Sequence, residues 1–326
     1  MTQPSIATGA LTGAQVGDVL ALAETAERTD GVAPLSEHTL LHLRYGDREP
    51  GRDLVLSVHG AIAGYAYTDP PGAPGADLSG ELMIDPGRRR QGLGLALVRA
   101  LIAEADGHPV RLWAHGDLPA AAGLARAAGF ERFRALWQMR RSLRDPLAEP
   151  AFPAGSTLRT FVPGRDEKDW LDLNARAFAK HPEQGAWTRN DLELREHEAW
   201  FDPAGFFLAE RHGVMAGFHW TKIHGPGAQD IPGGPAAPEA IGEVYVVGVD
   251  PGEQGTGLGR ALTLAGLRYL RDRGLSQAML YVDEDNVPAI RMYQALGFSR
   301  WRTDAMYRRP ADLSGPTDPG RPVLAG

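Results

Sequence analysis

Residues 244–262, VYVVGVDPGEQGTGLGRAL, join an apolar run to a helix-like segment through Asp-Pro and three glycines at alternate positions. A turn that follows a buried strand and opens a helix leaves several backbone N–H groups unpaired, and the helix dipole adds partial positive charge there. Glycine has no Cβ to hold a phosphate away from these groups, and it permits left-handed dihedral angles. The stretch therefore predicts a strand, a turn and a helix arranged to bind an anion.

The chain contains a second copy of this design at residues 82–97, LMIDPGRRRQGLGLAL. The motif HG-x-x-AG also occurs twice, within residues 54–68 and 206–221, and each occurrence predicts two strands joined by a His-Gly turn. A Gly-Phe landmark follows in ARAAGFERF, which ends at Phe133, and in YQALGFSRW, which ends at Trp301. The glycine turns are 165 positions apart (257 − 92) and the Gly-Phe landmarks 168 (301 − 133). This order predicts a duplicated domain of about 150 residues.

Each copy predicts an α/β fold, in which a mixed, mostly antiparallel sheet is flanked by helices. The stretch 145–156, DPLAEPAFPAGS, contains prolines that neither continue a helix nor donate to a sheet, so it is the predicted linker. We therefore expect a first domain at 1–144, this linker, a second domain at 157–309 and a flexible tail at 310–326. Two Pro/Gly-rich stretches, 69–79 and 224–242, are predicted loops at equivalent places in the two copies.

The composition disfavours several classes of function. A formal net charge of -7 and a pI near 5.8 argue against general binding to nucleic acid or to an acidic membrane. The chain has no cysteine, which excludes thiolate nucleophiles, and its ten histidines show no recognised metal-binding spacing. No apolar stretch reaches the ~18 residues that span a bilayer, and the N-terminus lacks the pattern of a signal peptide. We expect a cytoplasmic monomer that binds no metal, nucleic acid or membrane.

Three nucleotide-binding motifs compete for the glycine turns. A P-loop needs a lysine after its last glycine, but Arg260 follows Gly259, and a dinucleotide fingerprint needs a third glycine where Arg260 stands. The pattern [QR]-x-x-G-x-[GA] fits both copies, at residues 89–94 and 254–259. This pattern resembles the acetyl-coenzyme A pyrophosphate loop of the GCN5-related N-acetyltransferase (GNAT) family. The resemblance implies two tandem GNAT-fold domains with acetyl-coenzyme A as co-substrate.

The second signature of that family, N-x-x-A-x-x-x-Y-x-x-x-G-F, is complete only in the second copy, where its residues are Asn286, Ala289, Tyr293, Gly297 and Phe298. With the Gly-Phe landmarks superposed, Leu118 replaces the asparagine and Ala125 replaces the tyrosine in the first copy. The two copies are therefore not chemically equivalent, and the first is predicted to be degenerate.

The resemblance implies a set of cofactor contacts in each copy. In the second copy, the pantetheine arm would lie along a strand and the pyrophosphate would bind in the glycine loop, while a further helix would close the other side of the cofactor. The strand residues are Val247, Gly248 and Val249, and the loop residues are Gln254, Gly255, Thr256, Gly257, Leu258, Gly259 and Arg260. The helix residues are Asn286, Val287, Pro288, Ala289, Ile290 and Arg291. The corresponding residues of the first copy are Leu82, Met83, Ile84, Arg90, Gln91, Gly92, Leu93, Gly94 and Leu95.

Acyl transfer to an amine needs a base that takes a proton from the amine and an acid that assists the leaving thiolate. Glu243 opens the apolar strand EVYVVGV, where desolvation can raise the pKa of a carboxylate, so it is the candidate base. Tyr293 is the candidate acid, a role that the resemblance implies for its motif position. A solvated strand-end glutamate and a core tyrosine are the plain alternatives. An ungapped overlay places Leu78 at the Glu243 position of the first copy, so we expect the chemistry in the second copy.

Longer segments, including AFAKHPEQGAW, AGFHWTKIH and LYVDEDNVPAIRMYQALGF, resemble tandem members of the family that acetylate the cysteinyl amine of a cysteinyl-glucosaminyl-inositol. The resemblance implies that this small molecule is the substrate and that its contacts are Glu37, Glu183, Lys222, Glu243 and Tyr281. Two alternatives stay open. The chain could acetylate another amine, such as an aminoglycoside, a polyamine or a protein N-terminus, or it could be a non-catalytic acetyl-coenzyme A sensor.

Overall fold

The computed structural model describes residues 4–46, 52–69, 76–225 and 240–311. By its internal contacts the chain divides into two compact units. The first unit takes the residues up to 136 together with those from 303 onward, and the second unit takes residues 137–302. Most of the predicted tail, and residues 70–75 and 226–239 of the two predicted loops, lie outside the described residues.

The first unit follows the predicted order of helices, hairpin, glycine turn and helix. Thr12 begins the first helix with a capping box to Gln15, and His59 and Gly60 form the hairpin turn with positive φ angles of 53° and 79°. Its elements are β1 (Ser5–Thr8), α1 (Gly13–Asp30), α2 (Glu37–Tyr45), β2 (Arg52–Val58), β3 (Ala61–Asp69), β4 (Leu78–Ile84), α3 (Leu93–Glu104), β5 (Val110–Ala114), α4 (Pro119–Ala127) and β6 (Glu131–Ser142).

The second unit repeats this order. Its elements are β7 (Ser156–Thr160), α5 (Glu167–Ala177), α6 (Pro182–Gly185), α7 (Arg189–Glu196), β8 (Phe206–Arg211), β9 (Val214–His224), β10 (Ile241–Val249), α8 (Leu258–Asp272), β11 (Gln277–Asp283), α9 (Val287–Ala295) and β12 (Ser299–Arg309). In its sheet β7 to β10 pair antiparallel, β10 and β11 pair parallel, and β6 lies beside β11.

The first unit has the same sheet pattern, with β1 to β4 antiparallel, β4 and β5 parallel, and β12 antiparallel to β5. The predicted α/β fold with two mixed, mostly antiparallel sheets is therefore confirmed. The units are not two consecutive stretches of the chain. Strand β6 begins in the first unit and ends in the second, and β12 begins in the second unit and ends in the first. Motif spacing places the copies along the chain, but it carries no information about which sheet receives a terminal strand.

The turn helix of each copy packs on one face of its sheet. In the second unit, Gly266 of α8 lies so close to β9 that an added Cβ would be 2.1 Å from Cε1 of His219. His219 is fully buried, and its Nδ1 lies 2.8 Å from the carbonyl oxygen of Leu262. Burial lowers the pKa of His219 to about 4, so the ring is neutral and belongs to the core. The opposite face of this sheet carries the side chains of Lys222 and Glu243.

Candidate active site

The glycine loop of the second unit presents an uncapped helix N-terminus. After β10, the Asp250 carboxylate accepts a hydrogen bond from the Gly252 N–H at 3.0 Å and so caps the start of a short 3-10 turn, Pro251–Glu253. Gly255 and Gly257 have φ angles of +78° and +91°, in the left-handed region that favours glycine. Gly257 precedes α8 and provides no side-chain cap, so the first N–H groups of α8 can bind an anion.

A cavity of about 410 Å³ lies at this loop. Seven of the sequence-predicted cofactor residues line it, namely Val249, Gln254, Gly255, Gly257, Gly259, Arg260 and Pro288. Two further lining residues, Glu253 and Met292, were missed. Met292 lies four residues after Pro288 on α9, so helical spacing could have placed both on one face. The uncapped helix, the glycines and the open cavity fit the diphosphate of coenzyme A.

The remaining predicted cofactor residues of this unit support the loop and the helices around it. Gly248 of β10 faces Phe218, whose ring would lie 2.6 Å from an added Cβ, and Thr256 donates a hydrogen bond to the Glu253 carbonyl at 2.7 Å. Asn286 caps α9 by accepting from the Ala289 N–H at 3.2 Å. Val247 lies on β10, and Leu258 is buried at the start of α8. On α9, Ile290 is buried, whereas Val287 and Arg291 are exposed.

A register shift in β10 places Glu243 on the candidate site. Val244 pairs with Thr221 of β9 and Val246 pairs with Trp220, so Tyr245 is an extra residue at a bulge. Before the bulge Glu243 pairs with Lys222, which puts the two side chains on the same face of the sheet. Glu243 is only 6% exposed. A carboxylate so deeply buried must be hydrogen-bonded to remain charged.

His224 supplies that hydrogen bond. Its Nε2 lies 2.7 Å from Oε2 of Glu243, and its side chain is more exposed than that of its partner. The sequence analysis missed His224, although its position two residues after Lys222 on the same strand puts both side chains on one face. The arrangement orients one carboxylate oxygen of Glu243.

Aromatic rings hold Lys222. Its Nζ lies 4.4 Å from the ring centroid of Trp200 and 5.2 Å from that of Tyr245. The Tyr245 hydroxyl accepts a hydrogen bond from Nε of the buried Arg195 at 2.7 Å, which fixes the ring at the bulge. Cation–π attraction therefore positions the ammonium group of Lys222 beside the strand that carries Glu243.

The two candidate tyrosines differ in exposure. Tyr293 of α9 is 6% exposed and packs against Phe298 with ring centroids 5.8 Å apart. Burial raises the pKa of its hydroxyl, so the phenol is neutral at physiological pH and can donate a proton or a hydrogen bond. Tyr281 of β11 is 43% exposed, and its hydroxyl accepts a hydrogen bond from Nε2 of Gln138 at 2.8 Å.

The remaining two predicted substrate contacts belong to helices. Glu183 belongs to the short helix α6, but its side chain lies outside what the structure describes. Glu37 is the first residue of α2, whose N-terminus Ser36 caps by accepting from the Thr39 N–H at 3.3 Å.

The first unit has no carboxylate at the position equivalent to Glu243. Strand β4 pairs with β3 without the bulge, so Asp69, which lies five residues after Gly64, pairs with Ser79. In the second unit Lys222 lies five residues after the matching Gly217 and pairs with Glu243. The equivalent of Glu243 is therefore Ser79, and the assignment of Leu78 from the ungapped overlay is wrong. The extra residue Tyr245 causes the difference of one position.

The glycine loop of the first unit also lines a cavity, of about 490 Å³. Its predicted cofactor residues in the lining are Leu82, Met83, Ile84, Arg90, Gly92, Gly94 and Leu95. Leu93 is instead buried at the start of α3, and Gln91 is exposed in the loop. Arg89, the first residue of the glycine-loop pattern, makes two hydrogen bonds of 2.7 Å to the carboxylate of Asp30 beside the same cavity, a pairing that the sequence did not predict.

A buried charge cluster of the first unit was also missed. His115 lies between two carboxylates, with Nε2 2.8 Å from Glu81 and Nδ1 3.4 Å from Asp304. Burial alone would lower the pKa of His115, but the hydrogen bonds to Asp304 and Glu81 raise it to about 10. Burial likewise would raise the pKa of Glu81, but hydrogen bonds from His115, Ser36 and Thr39 lower it. The imidazole is therefore a cation that links β4, β5 and β12.

Within the described ranges, no group of three or more histidine or acidic side chains could hold a metal ion. A separate search of the same residues found no helix with the length and hydropathy needed to cross a membrane.

The duplicated strand, glycine loop and helix, each beside a pair of parallel strands, define a tandem acyltransferase fold that binds coenzyme A. The model of the acetyltransferase (GNAT) family matches residues 20–130 and 168–298, and the chain belongs to that family. Members of this family use acetyl-coenzyme A. The chain is accordingly an acyl-coenzyme A-dependent N-acetyltransferase.

Relatives and solved structures agree with this assignment. The chain is similar to the mycothiol acetyltransferase of Thermobispora bispora, with 60% identity over 291 residues, which cover 89% of this chain and 95% of the relative. It is 59% identical over 302 residues to the mycothiol acetyltransferase of Thermomonospora curvata, covering 92% and 95% of the two chains. A tandem GNAT protein from the clavulanic acid biosynthesis pathway shares the fold, with a TM-score of 0.71, 24% identity and coverage of 96% and 100%.

Proposed function

We propose that the chain transfers the acetyl group of acetyl-coenzyme A to the cysteinyl amine of cysteinyl-glucosaminyl-inositol, which completes mycothiol, and that the second unit performs the reaction. The names of the similar relatives support the substrate. The buried Glu243, which has a serine as its equivalent in the first unit, supports the choice of unit. When bound, acetyl-coenzyme A supplies the thioester whose carbonyl carbon the amine attacks.

Glu243 takes the proton from the amine. An α-amino group has a pKa of about 8, so it is largely an ammonium ion at neutral pH and must be deprotonated before attack. The carboxylate of Glu243 can accept this proton directly or through one water, and His224 holds the carboxylate in a fixed orientation during the transfer. The attraction between Glu243 and the incoming ammonium also helps to place the substrate.

Tyr293 stabilises the leaving thiolate. A thiol has a pKa of about 8.5, well below that of a buried phenol, so complete proton transfer from Tyr293 to the thiolate is unfavourable. The neutral hydroxyl of Tyr293 therefore acts chiefly as a hydrogen-bond donor to the sulfur as negative charge develops there. The thiolate takes its proton later, in exchange with solvent or from the protonated base.

Lys222 and Tyr281 bind the hydroxyl-rich part of the substrate. A pseudodisaccharide needs several polar groups that converge on one cleft. Lys222 of β9 offers N–H donors next to the faces of Trp200 and Tyr245, and the exposed Tyr281 lies on β11, on the other side of β10. Glu37 and Glu183 complete the proposed set of substrate contacts.

The observation that carries the proposal is the pairing of Lys222 with the buried Glu243 at the bulge of β10. The test compares acetylation of cysteinyl-glucosaminyl-inositol with acetylation of spermidine and of an aminoglycoside, each at saturating acetyl-coenzyme A. We expect kcat/KM to be highest for cysteinyl-glucosaminyl-inositol. A preference for spermidine or for the aminoglycoside would refute the proposed substrate and leave the acetyltransferase assignment intact.

A further inference from the structure

The cavity of the first unit reaches well beyond its glycine loop. It begins at Arg90, Gly92 and Gly94, where a cofactor diphosphate would bind, and it continues between β4 and β5. At its far end it is lined by Phe130 and by Tyr307 of β12. Phe130 is only 3% exposed, so the cavity extends into the hydrophobic core of this unit.

The second unit fills the equivalent space with a side chain. Tyr293 lies 168 positions after Ala125, and Phe298 lies 168 positions after Phe130. In the second unit the phenol of Tyr293 packs against Phe298, with 5.8 Å between ring centroids. In the first unit both Ala125 and Phe130 line the open cavity. The missing phenol corresponds to about seven non-hydrogen atoms, a volume that a core normally fills.

The helix that covers this cavity is made of small residues. Helix α4, PAAAGLARA, contains five alanines and a glycine among nine residues, and none of its residues is fully buried. The matching helix α9 buries Ile290 and Tyr293 against the sheet. Small side chains on α4 thus leave room between the helix and the sheet that the second unit does not have.

The chemistry of the lining favours an uncharged apolar ligand at the far end. Val98, Leu112 and Leu124 form the walls together with Phe130. Two cations beside the cavity are already paired, because His115 binds Glu81 and Asp304 while Arg89 binds Asp30, and Arg90 lies at the glycine loop, where the diphosphate would bind. A carboxylate at the end of a ligand would therefore compete with existing ion pairs, whereas a hydrocarbon chain would replace empty space.

We propose that the first unit binds coenzyme A thioesters whose unbranched acyl chain is longer than acetyl. The glycine loop and the uncapped N-terminus of α3 receive the diphosphate, and the space left by Ala125 receives the acyl chain. This inference shares with the proposed function only the requirement for a coenzyme A thioester. Each buried methylene strengthens binding about fourfold, so a six-carbon chain gains a large preference over acetyl.

Isothermal titration of the full chain with acetyl-coenzyme A, hexanoyl-coenzyme A and succinyl-coenzyme A tests the inference. We expect hexanoyl-coenzyme A to bind one site per chain at least about tenfold more tightly than acetyl-coenzyme A. Succinyl-coenzyme A is expected to show no such gain, because His115 and Arg89 are already in ion pairs and Arg90 would bind the diphosphate. Equal affinities for acetyl and hexanoyl thioesters, or a gain for the succinyl thioester, would overturn the inference.

Substitutions on α4 test whether the preference for hexanoyl-coenzyme A over acetyl-coenzyme A arises in this cavity. Ala125→Tyr supplies the ring that the second unit carries, and it should abolish the preference for hexanoyl-coenzyme A. Arg126→Tyr places the same ring at an exposed position of α4 outside the lining and should keep the preference. If Ala125→Tyr does not fold, Ala121→Leu fills the same cavity with a smaller group and carries the same expectation. A preference for hexanoyl-coenzyme A that persists after the cavity is filled would overturn the inference. Failure of the wild-type chain to acetylate any amine would refute the proposed function and leave this inference intact.

Discussion

The carboxylate of Glu243 accepts a hydrogen bond from the imidazole of His224, with 2.7 Å between Oε2 and Nε2, across the antiparallel strands β9 and β10. The two residues are 19 positions apart, and residues 226–239 between these strands lie outside the described part of the chain. The bond gives a buried acceptor a fixed orientation. In the proposed mechanism, His224 is a positioning residue that acts through Glu243.

Replacing His224 by alanine should lower kcat for the amine substrate about tenfold or more, because a hydrogen bond to a charged group contributes about 1.5–3 kcal/mol. The KM for acetyl-coenzyme A should not change. His224→Gln keeps an N–H donor and should recover part of the loss. Steady-state kinetics on the three proteins measure this. Equal kcat values for the alanine variant and the wild type would remove the positioning role.

Replacing Tyr293 by phenylalanine removes one hydroxyl and keeps the ring that packs against Phe298. We expect kcat to fall about 10- to 100-fold, since one donor to developing negative charge is lost. The midpoint of thermal unfolding should change little, because the buried ring remains. A large drop in that midpoint with an unchanged kcat would instead make Tyr293 a core residue without a catalytic role.

Replacing Lys222 by methionine removes the charge and keeps an unbranched chain of similar length between Trp200 and Tyr245. The KM for cysteinyl-glucosaminyl-inositol should rise about tenfold, because hydrogen bonds from a charged donor to substrate hydroxyls are lost. The KM for acetyl-coenzyme A serves as the internal control and should stay constant. A rise in both values would place Lys222 outside the amine-binding part of the site.

Replacing His115 by glutamine should destabilise the chain by about 3–5 kcal/mol at neutral pH, because Glu81 and Asp304 lose the cation between them. The pKa of His115 is raised from 6.5 to about 10 in the folded chain. Its contribution is therefore complete below pH 6.5 and is lost as the pH rises toward 10. In urea unfolding, the difference between wild type and His115→Gln should shrink over that interval. A constant difference would show that the imidazole is not charged.

The sequence predicted those features that depend on local pattern. The three glycines around the start of α8, the hairpin at His212 and the complete signature around Tyr293 each lie within one short segment, so periodicity and spacing reveal them. Features that depend on pairing between distant segments were not predictable. The exchange of β6 and β12 is of this kind, as is the bulge at Tyr245, which moved the equivalent of Glu243 from Leu78 to Ser79.

Buried polar partners were missed for the same reason. His115 directly follows β5, whereas its partners Glu81 and Asp304 belong to β4 and β12, and no sequence spacing relates the three. His224 was visible as a polar residue at a strand end, but its contact with Glu243 depends on the register of β9 against β10. Register is set by the whole sheet, and an inserted residue shifts it by one position.

The most direct test of the central claim, that Glu243 of the second unit is the base, is the rate of acetyl transfer to cysteinyl-glucosaminyl-inositol by Glu243→Gln. The amide has nearly the shape of the carboxylate but cannot take a proton, so kcat should fall by about 10²–10⁴ while acetyl-coenzyme A still binds. Glu193→Gln, on the solvent side of α7, is the matched control and should retain full activity. An unchanged kcat for Glu243→Gln, with normal binding of acetyl-coenzyme A, would contradict the account.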